Sequence, residues 1–354
     1  MTMRIRIVPR PKPTPVFRSY WRFACERQGV FIRRLRGLPP PWTDDPVIAS
    51  YKFTNAFRVS DRESQFLIRE VIGQQKRCHG DTFFRIILFR LFNKSETWSF
   101  LTHRFGDLTL DKFDLPRFDR ALRDALDRGT TLFSAAYIMP SRGAGLTAQR
   151  KHSNLLLVLR RMLDDEVPER IFESSGPAAY RMLRSYPMIG DFLAYQYLTD
   201  LGYSPNATFE EHEFVAPGPG ARDGLRKCFS DSDGLSDADL IRWVCDGQEQ
   251  LARQFGLEPP NLFGRPLQLI DCQNLFCEVD KYARVAHPEA CGASGRTRIK
   301  QKYEASPQRK LPRPEFPTRW GLSDAVEAFY QRRGDGLRDL PAVCSRDIAV
   351  GQKT

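Results

Sequence analysis

The hydrophobic positions of the chain recur mainly at the spacing of α-helices. The segment SDRESQFLIREVIGQQ has apolar residues four apart, and Ser60 with Glu63 has the form of a helix-capping box. The segment DTFFRIILFRLF, with Asp81 as its expected cap, is apolar on nearly every face, which is typical of a central buried helix. Alternation with a period of two is confined to a short stretch near the N-terminus. The pattern predicts a mainly α protein.

Further helices are expected along the rest of the chain. LPRFDRALRDALDRG has Pro116 in its first turn and Gly129 just past its end, the usual asymmetry of helix termini. Ser236 is expected to cap a later helix. The remaining helical segments are predicted over residues 150–165, 176–185, 191–202, 236–255, 267–285 and 323–332.

Proline-rich segments divide the chain. PRPKPTP, LPPPW and SPQRKLPRPEFP cannot continue helices or central strands. We therefore expect three parts, which are a basic proline-rich arm over residues 1–45, a helical domain over 46–305, and a proline-rich segment with a C-terminal helix over 306–354.

The net charge of +11 is unevenly distributed. Residues 1–40 carry +9 and residues 281–320 carry +7, so the rest of the chain sums to about −5. Two basic flanks favour contact with a polyanion, most simply DNA. Solubilising charge on poorly ordered arms would give the same pattern.

The sequence also argues against several protein classes. The longest apolar stretches are interrupted by arginine well short of the roughly 20 residues of a membrane span. The basic start lacks the apolar segment of a secretion signal. Eight irregularly spaced cysteines fit reduced thiols better than a disulfide framework. We therefore expect a cytoplasmic protein without membrane contact, and the sequence indicates no obligate protein partner.

Residues 176–203 predict a helical hairpin. A first helix, GPAAYRMLRS, is followed by a turn of the form Pro-x-Ile-Gly and a second helix, the layout of a helix-hairpin-helix. In that motif the turn amides, near Ile189 and Gly190 here, can bind a DNA phosphate at the N-terminus of the second helix. A proline break between two ordinary helices would look the same.

An acidic loop, FEEHEFVAPGPGARDG, begins about 20 residues after the hairpin glycine. Helix-hairpin-helix base-excision glycosylases carry an acidic residue at that distance, where a carboxylate can stabilise the oxocarbenium-like sugar. Glu213 is the candidate catalytic residue, because the apolar pair and the rigid turn after it could partly bury it. A surface position for all the acids of the loop is the alternative. Residues 191–195 contain no lysine, so no Schiff-base chemistry is expected.

Several polar residues stand among apolar ones and form a candidate base pocket. Amide, carboxylate and aromatic groups can hold an extruded base by its hydrogen-bonding edge and its face. Helix capping explains the same residues about as well. The candidate substrate-binding residues are Asn55, Arg58, Asn93, Glu96, Trp98 and Tyr195.

The helix expected over LIDCQNLFCEVDKYARV leads into the second basic region. It carries Asp271, Asn274 and Glu278 on one stripe, and Lys281 and Arg284 near its end are candidate DNA-binding residues.

No metal site or cofactor is expected. Cys272, Cys277, His287 and Cys291 match neither a common zinc spacing nor the four-cysteine cluster loop of some glycosylases. The sequence has neither the H-x-E with P-C-x-x-C of zinc deaminases nor the G-x-x-x-x-G-K-[ST] of nucleotide kinases.

Five ordered blocks between residues 50 and 290 carry a family resemblance. They resemble the α-glutamyl/putrescinyl thymine pyrophosphorylase family, whose domain is also similar to the helical part of hydroxymethyl-deoxyuridine DNA kinases. The blocks are FTNAFRVSDRESQFLIREV, DTFFRIILFRLFNKSETW, MIGDFLAYQYLTDLGYS, EFVAPGPGARDGLRKCFSD and DCQNLFCEVDKYARV.

The resemblance implies a divergent helix-hairpin-helix DNA glycosylase tied to hypermodified phage bases. Some bacterial members resemble an anti-phage glycosylase that removes α-glucosylated hydroxymethylcytosine. The hairpin has Met188 where glycine is usual, and Glu213 stands where aspartate is usual, so Asp223 and Asp280 are alternative catalytic residues.

The resulting prediction is a monofunctional glycosylase that releases a modified pyrimidine from phage DNA and leaves an abasic site. The alternatives are an enzyme that modifies activated 5-hydroxymethyl-uracil in phage DNA, and a DNA-binding protein without catalysis.

Overall fold

The computed structural model describes residues 10–73, 77–134, 143, 145–146, 148–305 and 311–331. The described residues are mainly α-helical with a few very short strands, which confirms the predicted class. No helix in these ranges is long and apolar enough to cross a membrane.

The helices follow the sequence pattern over most of the chain. They are α1 (Pro15–Leu35), α2 (Pro46–Ser50), α3 (Arg62–Phe66), α4 (His79–Phe92), α5 (Ser95–Phe105), α6 (Leu115–Asp127), α7 (Lys151–Asp164), α8 (Val167–Phe172), α9 (Gly176–Arg184), α10 (Asp191–Gly202), α11 (Pro219–Cys228), α12 (Asp237–Asp246), α13 (Gln248–Arg253), α14 (Leu269–Ala286) and α15 (Ser323–Gln331).

Shorter elements complete the secondary structure. A π-helical segment, Leu67–Ile72, continues α3. The strands are β1 (Lys12–Pro13), β2 (Phe229–Asp231), β3 (Asn261–Leu262) and β4 (Arg265–Pro266), paired antiparallel as β1 with β2 and β3 with β4.

The described residues form two compact units. Unit 1 contains those up to Phe57, those from Pro219 to Pro314, and those from Leu322 onward. Unit 2 contains those from Arg58 to Gly218, together with Glu315–Gly321. This grouping differs from the predicted single domain over 46–305, because the later helices pack with the N-terminal segment.

The expected N-terminal arm is largely a buried helix. Thr14 caps α1 through a hydrogen bond from the Val16 amide, and Pro15 occupies the first turn, where its missing N–H costs nothing. Phe17, Tyr20 and Trp21 are almost fully buried. The prediction of an arm failed over residues 15–35, since the prolines before the helix mark its start and its aromatic face supplies core to unit 1.

Helix α11 also replaces the end of the expected acidic loop, from Pro219 onward. The glycines of α11 allow that helix to lie directly against α14. A Cβ at Gly224 would lie 2.0 Å from the Phe276 carbonyl oxygen, and one at Gly220 would lie 2.4 Å from the Cys277 sulfur. These glycines therefore serve close helix packing and not loop flexibility.

Unit 2 is built around α4, which is buried on nearly all sides as predicted. It packs against α7, α8 and α10. The expected cap of α4 differs from the structure. Cys78 caps α4, and Asp81 instead accepts a hydrogen bond of 2.7 Å from the Leu110 amide.

Other predicted helix ends can be compared directly. Ser60 lies in a 3-10 turn, so α3 begins one residue later than the predicted capping box requires, with Asp61 in the cap position. Ser236 caps α12 as predicted. The single helix expected over 236–255 is broken at Gly247 into α12 and α13.

Candidate functional site

The predicted hairpin is present in unit 2 as α9, a short turn and α10. Met188 in the turn has φ of +67°, so a position that usually holds glycine has the left-handed backbone that glycine favours. The Ile189 amide donates to the Tyr186 carbonyl at 3.3 Å. Gly190 directly precedes α10, and a Cβ placed there would meet nothing within 4 Å. Of the two residues predicted to bind phosphate, Ile189 thus donates inside the turn, whereas Gly190 borders open space.

A cleft with a volume of about 540 Å³, here called the hairpin cleft, lies against this turn. Its lining consists of Arg161, Arg184, Ser185, Tyr186, Pro187, Met188, Ile189 and Gly190. Two guanidinium groups beside the N-terminus of a helix form an electropositive surface that suits a phosphate.

The two arginines of the hairpin cleft differ in their partners. Arg184 pairs with Asp191 at 2.5 Å, and this ion pair raises the pKa of Arg184. Asp191 thereby places a carboxylate at the N-terminus of α10, where it competes with an incoming anion. Arg161 is exposed and has no acidic partner among the described residues. Among the described residues of the cleft, Arg161 is therefore the arginine whose positive charge no ion pair neutralises.

A buried arginine cluster, defined as Arg58, Arg90 and Asp200, lies in the core of unit 2. Arg58 binds both carboxylate oxygens of Asp200, at 2.7 and 3.0 Å. Arg90 reaches the same carboxylate with two nitrogens, at 2.7 and 2.8 Å. All three side chains are at most 2% exposed. Two guanidinium groups share one carboxylate, so these three groups carry one net positive charge out of contact with water.

Neutral polar groups extend the arginine cluster. Arg58 donates to Gln196 at 2.8 Å and to the Tyr203 hydroxyl at 3.2 Å. Arg90 donates to the Asn93 side chain at 2.5 Å. Asn93 ends α4 with φ of +49°, which turns its amide group back toward Arg90. The structure thus brings together two of the predicted substrate-binding residues, Arg58 and Asn93, in one buried network.

The other predicted substrate-binding residues have further contacts of their own. Trp98 is buried, its ring 5.1 Å from the Arg85 guanidinium. Glu96 is exposed in the first turn of α5, where its own backbone amide lowers its pKa. Tyr195 is buried edge-on to Phe214.

Asn55 belongs to unit 1. Its side-chain oxygen accepts a hydrogen bond of 2.9 Å from Arg27.

Glu213, predicted to be catalytic, is exposed and not partly buried. Its carboxylate accepts hydrogen bonds from the Gly176 amide at 3.2 Å and from the Glu210 amide at 3.0 Å. It therefore binds the main chain at the start of α9, a position in which a carboxylate stabilises a helix N-terminus.

The two alternative acids are also engaged. Asp223 in α11 accepts hydrogen bonds from the Ala293 and Ser294 amides at 2.9 and 3.3 Å. Burial alone would raise the pKa of Asp223, but these hydrogen bonds lower it below its usual range. Asp280 in α14 is buried and pairs with Lys227 at 2.9 Å and with Arg284. Each carboxylate holds local structure in unit 1.

The two predicted DNA-binding residues of α14 form contacts within the chain. Lys281 pairs with Glu278 at 3.0 Å and lies 4.5 Å from the centre of the Phe53 ring. Arg284 binds Asp280 and the Arg298 carbonyl. Their charges are thus partly neutralised before any ligand arrives.

Across the described ranges, no group of three or more His, Cys, Asp or Glu side chains could hold a metal ion. Sequence reasoning missed Arg90, Asp200 and Arg161. Arg90 could have been found in the sequence, because an arginine inside the apolar run RIILFRLF requires a buried partner. Arg161 had none, since it follows another arginine on an ordinary amphipathic helix.

Comparison with known proteins identifies the family. Residues 14–292 match the family model described as 5-hmdU DNA kinase, helical domain. The 5-hmdU DNA kinase of Bacillus phage SP10 is 27% identical over 302 residues, which cover 79% of this chain and 46% of that protein. The chain thus spans about half the length of the curated relative that it matches. No solved structure matches it significantly.

These findings correct the functional prediction. The expected relation to enzymes of modified phage bases is confirmed, but the related protein is named a kinase, so the predicted glycosylase, a hydrolase that leaves abasic sites, is contradicted. The match covers most of the chain, including all of α1 to α14. The chain belongs to the family of 5-hmdU DNA kinase helical domains.

Proposed function

We propose that this chain binds DNA at 5-hydroxymethyl-uracil and takes part in the enzymatic modification of that base. The observation that carries the proposal is the family match over residues 14–292, together with the relative named as a 5-hmdU DNA kinase. In the reaction implied by that name, the hydroxymethyl oxygen of the base would attack the terminal phosphorus of a nucleoside triphosphate, lose its proton, and displace the nucleoside diphosphate as leaving group.

The proposal assigns recognition of DNA and base to the described residues. The sequence contains no G-x-x-x-x-G-K-[ST] phosphate loop, and the match covers 46% of the phage protein. A site for the phosphoryl donor is accordingly not part of the proposal.

Unit 2 supplies the features that support DNA binding. In the hairpin cleft, Arg161 has its charge uncommitted and Gly190 borders open space. We propose that this cleft, as a helix-hairpin-helix turn, binds a phosphate next to the modified base. The arginine cluster fixes α10, on which the turn depends, by tying Asp200 to Arg58 and Arg90.

The first experiment measures binding and chemistry together. Fluorescence anisotropy compares two duplexes that differ only in having 5-hydroxymethyl-uracil or thymine at one position. One satisfied hydrogen bond to the extra hydroxyl, about 1.4 kcal/mol, would give about tenfold tighter binding. Incubation with ATP and Mg²⁺, followed by mass spectrometry of the nucleosides, then detects a phosphorylated base.

The outcomes separate the candidate functions. A new nucleoside, or a preference for the modified duplex, supports the proposal. Equal affinity for both duplexes with no new nucleoside would contradict it and leave a DNA-binding protein without base selection. Strand breaks that appear only after treatment with alkali would indicate abasic sites and would favour a glycosylase over the proposed function.

A second experiment tests the hairpin cleft. Arg161→Ala should reduce the log–log salt slope of duplex binding by about 0.9, the loss of one phosphate contact. Arg160→Ala is the matched control, because Arg160 is the neighbouring residue of α7 and pairs with Asp164 at 2.9 Å. Equal effects of the two variants would remove the cleft from the interface.

A further inference from the structure

A strip of basic residues in unit 1, here called the basic ribbon, consists of Arg296, Arg298, Lys300 and Lys302. The sequence places a positive charge at every second position from 296 to 302. In an extended chain, residues two apart point to the same side and lie about 6.6 Å from each other. All four side chains are exposed.

Hydrogen bonds hold the ribbon against the body of unit 1. The Lys52 amide donates to the Gln301 carbonyl at 3.1 Å, and the Tyr303 amide donates to the Ser50 carbonyl at 2.9 Å. Tyr51 and Lys302 form an antiparallel bridge between these two bonds. The Arg298 carbonyl accepts from Arg284 at 3.1 Å. The backbone of the ribbon is therefore held at Arg298 and around Lys302.

The charges of the ribbon are uncommitted. Within the described ranges no acidic side chain forms an ion pair with any of the four residues, in contrast to Lys281 and Arg284 on the neighbouring helix. Ile299, between Arg298 and Lys300, and Tyr303, just after Lys302, are half-buried. Glu304, which is exposed, stands just past the last lysine.

We propose that the basic ribbon is a binding surface for the sugar–phosphate backbone of one DNA strand. In an extended chain, four charges over seven residues span about 20 Å, the length of six residue steps. Over that length one strand of duplex DNA presents about six phosphates, at one per 3.4 Å of helix axis. Such contacts carry no sequence information, so the ribbon adds affinity and register without reading bases.

This proposal depends on the proposed function only in taking DNA as the ligand. The test therefore uses unmodified DNA, single-stranded and duplex, of one sequence. The ribbon variant replaces all four basic residues by alanine, and the binding constant is measured against salt concentration. The log–log slope should fall by up to about 3.6 for the duplex or about 2.8 for the single strand, because each lost contact contributes about 0.9 or 0.7.

Matched variants separate charge from structure. A charge-conserving variant, with Arg296→Lys, Arg298→Lys, Lys300→Arg and Lys302→Arg, should keep the wild-type slope. Arg253→Ala removes an exposed arginine of unit 1 that pairs with Glu249, and it should also leave the slope unchanged. Glu304→Gln should strengthen binding, since it removes a negative charge two residues after Lys302.

An unchanged slope in the alanine variant would overturn the proposal, as would an equal loss in the charge-conserving variant. If the fourfold variant fails to fold, Lys300→Ala and Lys302→Ala replace it, each with an expected decrease of about 0.9 for duplex DNA. Ribbon-dependent binding of polyglutamate as tight as that of DNA would identify an acidic-peptide site and overturn the DNA assignment.

The two proposals fail in different ways. A lower salt slope without any preference for 5-hydroxymethyl-uracil would support the ribbon and contradict the proposed function. A preference for 5-hydroxymethyl-uracil together with an unchanged salt slope in the alanine variant would support the proposed function and contradict the ribbon.

Discussion

Removing the carboxylate of the arginine cluster should destabilise unit 2 severely. In Asp200→Asn, Arg58 and Arg90 would lose the carboxylate that they share, although both are at most 2% exposed. Removal of one partner from a buried ion pair costs about 3–5 kcal/mol. For a unit of 150–250 residues each kcal/mol lowers Tm by about 2–4 °C, so the expected decrease is about 6–20 °C.

We also expect an order of stability among the variants of the arginine cluster. Arg58→Met leaves Arg90 and Asp200 as a neutral pair, so it should cost less than Asp200→Asn despite removing more hydrogen bonds. Asp164→Asn, in the exposed pair with Arg160, is the control and should cost at most about 1 kcal/mol. Urea unfolding followed by circular dichroism gives the free energies.

Two results would refute this account. If Asp200→Asn lost less than about 1 kcal/mol, the guanidinium groups would have to be hydrated and not buried in a dry core. If Arg58→Met were the more damaging change, the packing of the side chain would matter more than the balance of charge.

Three further predictions concern other residues. Burial lowers the pKa of His152 in the folded protein, so the unfolded chain binds more protons below about pH 6.5, and the free energy of unfolding should fall as the pH drops through that range. His152→Gln should make the free energy of unfolding depend less on pH. An unchanged pH dependence in this variant would exclude His152 as its source. Gly224→Ala should lower the free energy of unfolding, measured with a denaturant, by at least about 2 kcal/mol, because its Cβ would meet the Phe276 carbonyl. Gly190→Ala is the control and should be tolerated. Equal stability of the two variants would mean that α11 can move away from α14. Glu213→Ala should cost about 1 kcal/mol, as loss of a helix cap does, and a neutral change would mean that its two amide contacts are not maintained in solution.

Much of the helical framework could be predicted from local signals. The ends of α6 and α10 follow from proline, glycine and apolar spacing, which act within a few residues. The start of α1 could not be predicted in the same way, because Pro13 and Pro15 are compatible with both an arm and a helix start. What decides between these alternatives is the burial of the aromatic residues that follow, and burial depends on α14, more than 230 residues away.

The site was less predictable, because the sequence gives the chemistry of each polar residue but not the group that it binds in the fold. Arg58 and Asn93 were found from their apolar surroundings, and both belong to one network. The groups that join them, Arg90 and Asp200, are more than 100 residues apart in the chain. A buried charge in a sequence therefore indicates that a partner exists, while only the fold identifies it.

The mistaken function has a physical explanation in the carboxylates. A glycosylase needs an acid directed at a sugar, and Glu213, Asp223 and Asp280 each had a plausible place in the chain for that task. In the structure, Glu213 binds two backbone amides, Asp223 binds two others, and Asp280 is paired with Lys227. Each of these acids is therefore oriented by contacts within the chain. The same sequence blocks can thus specify the helical fold of this family without specifying bond cleavage, which is why they identified the family's phage-base setting and misidentified the reaction.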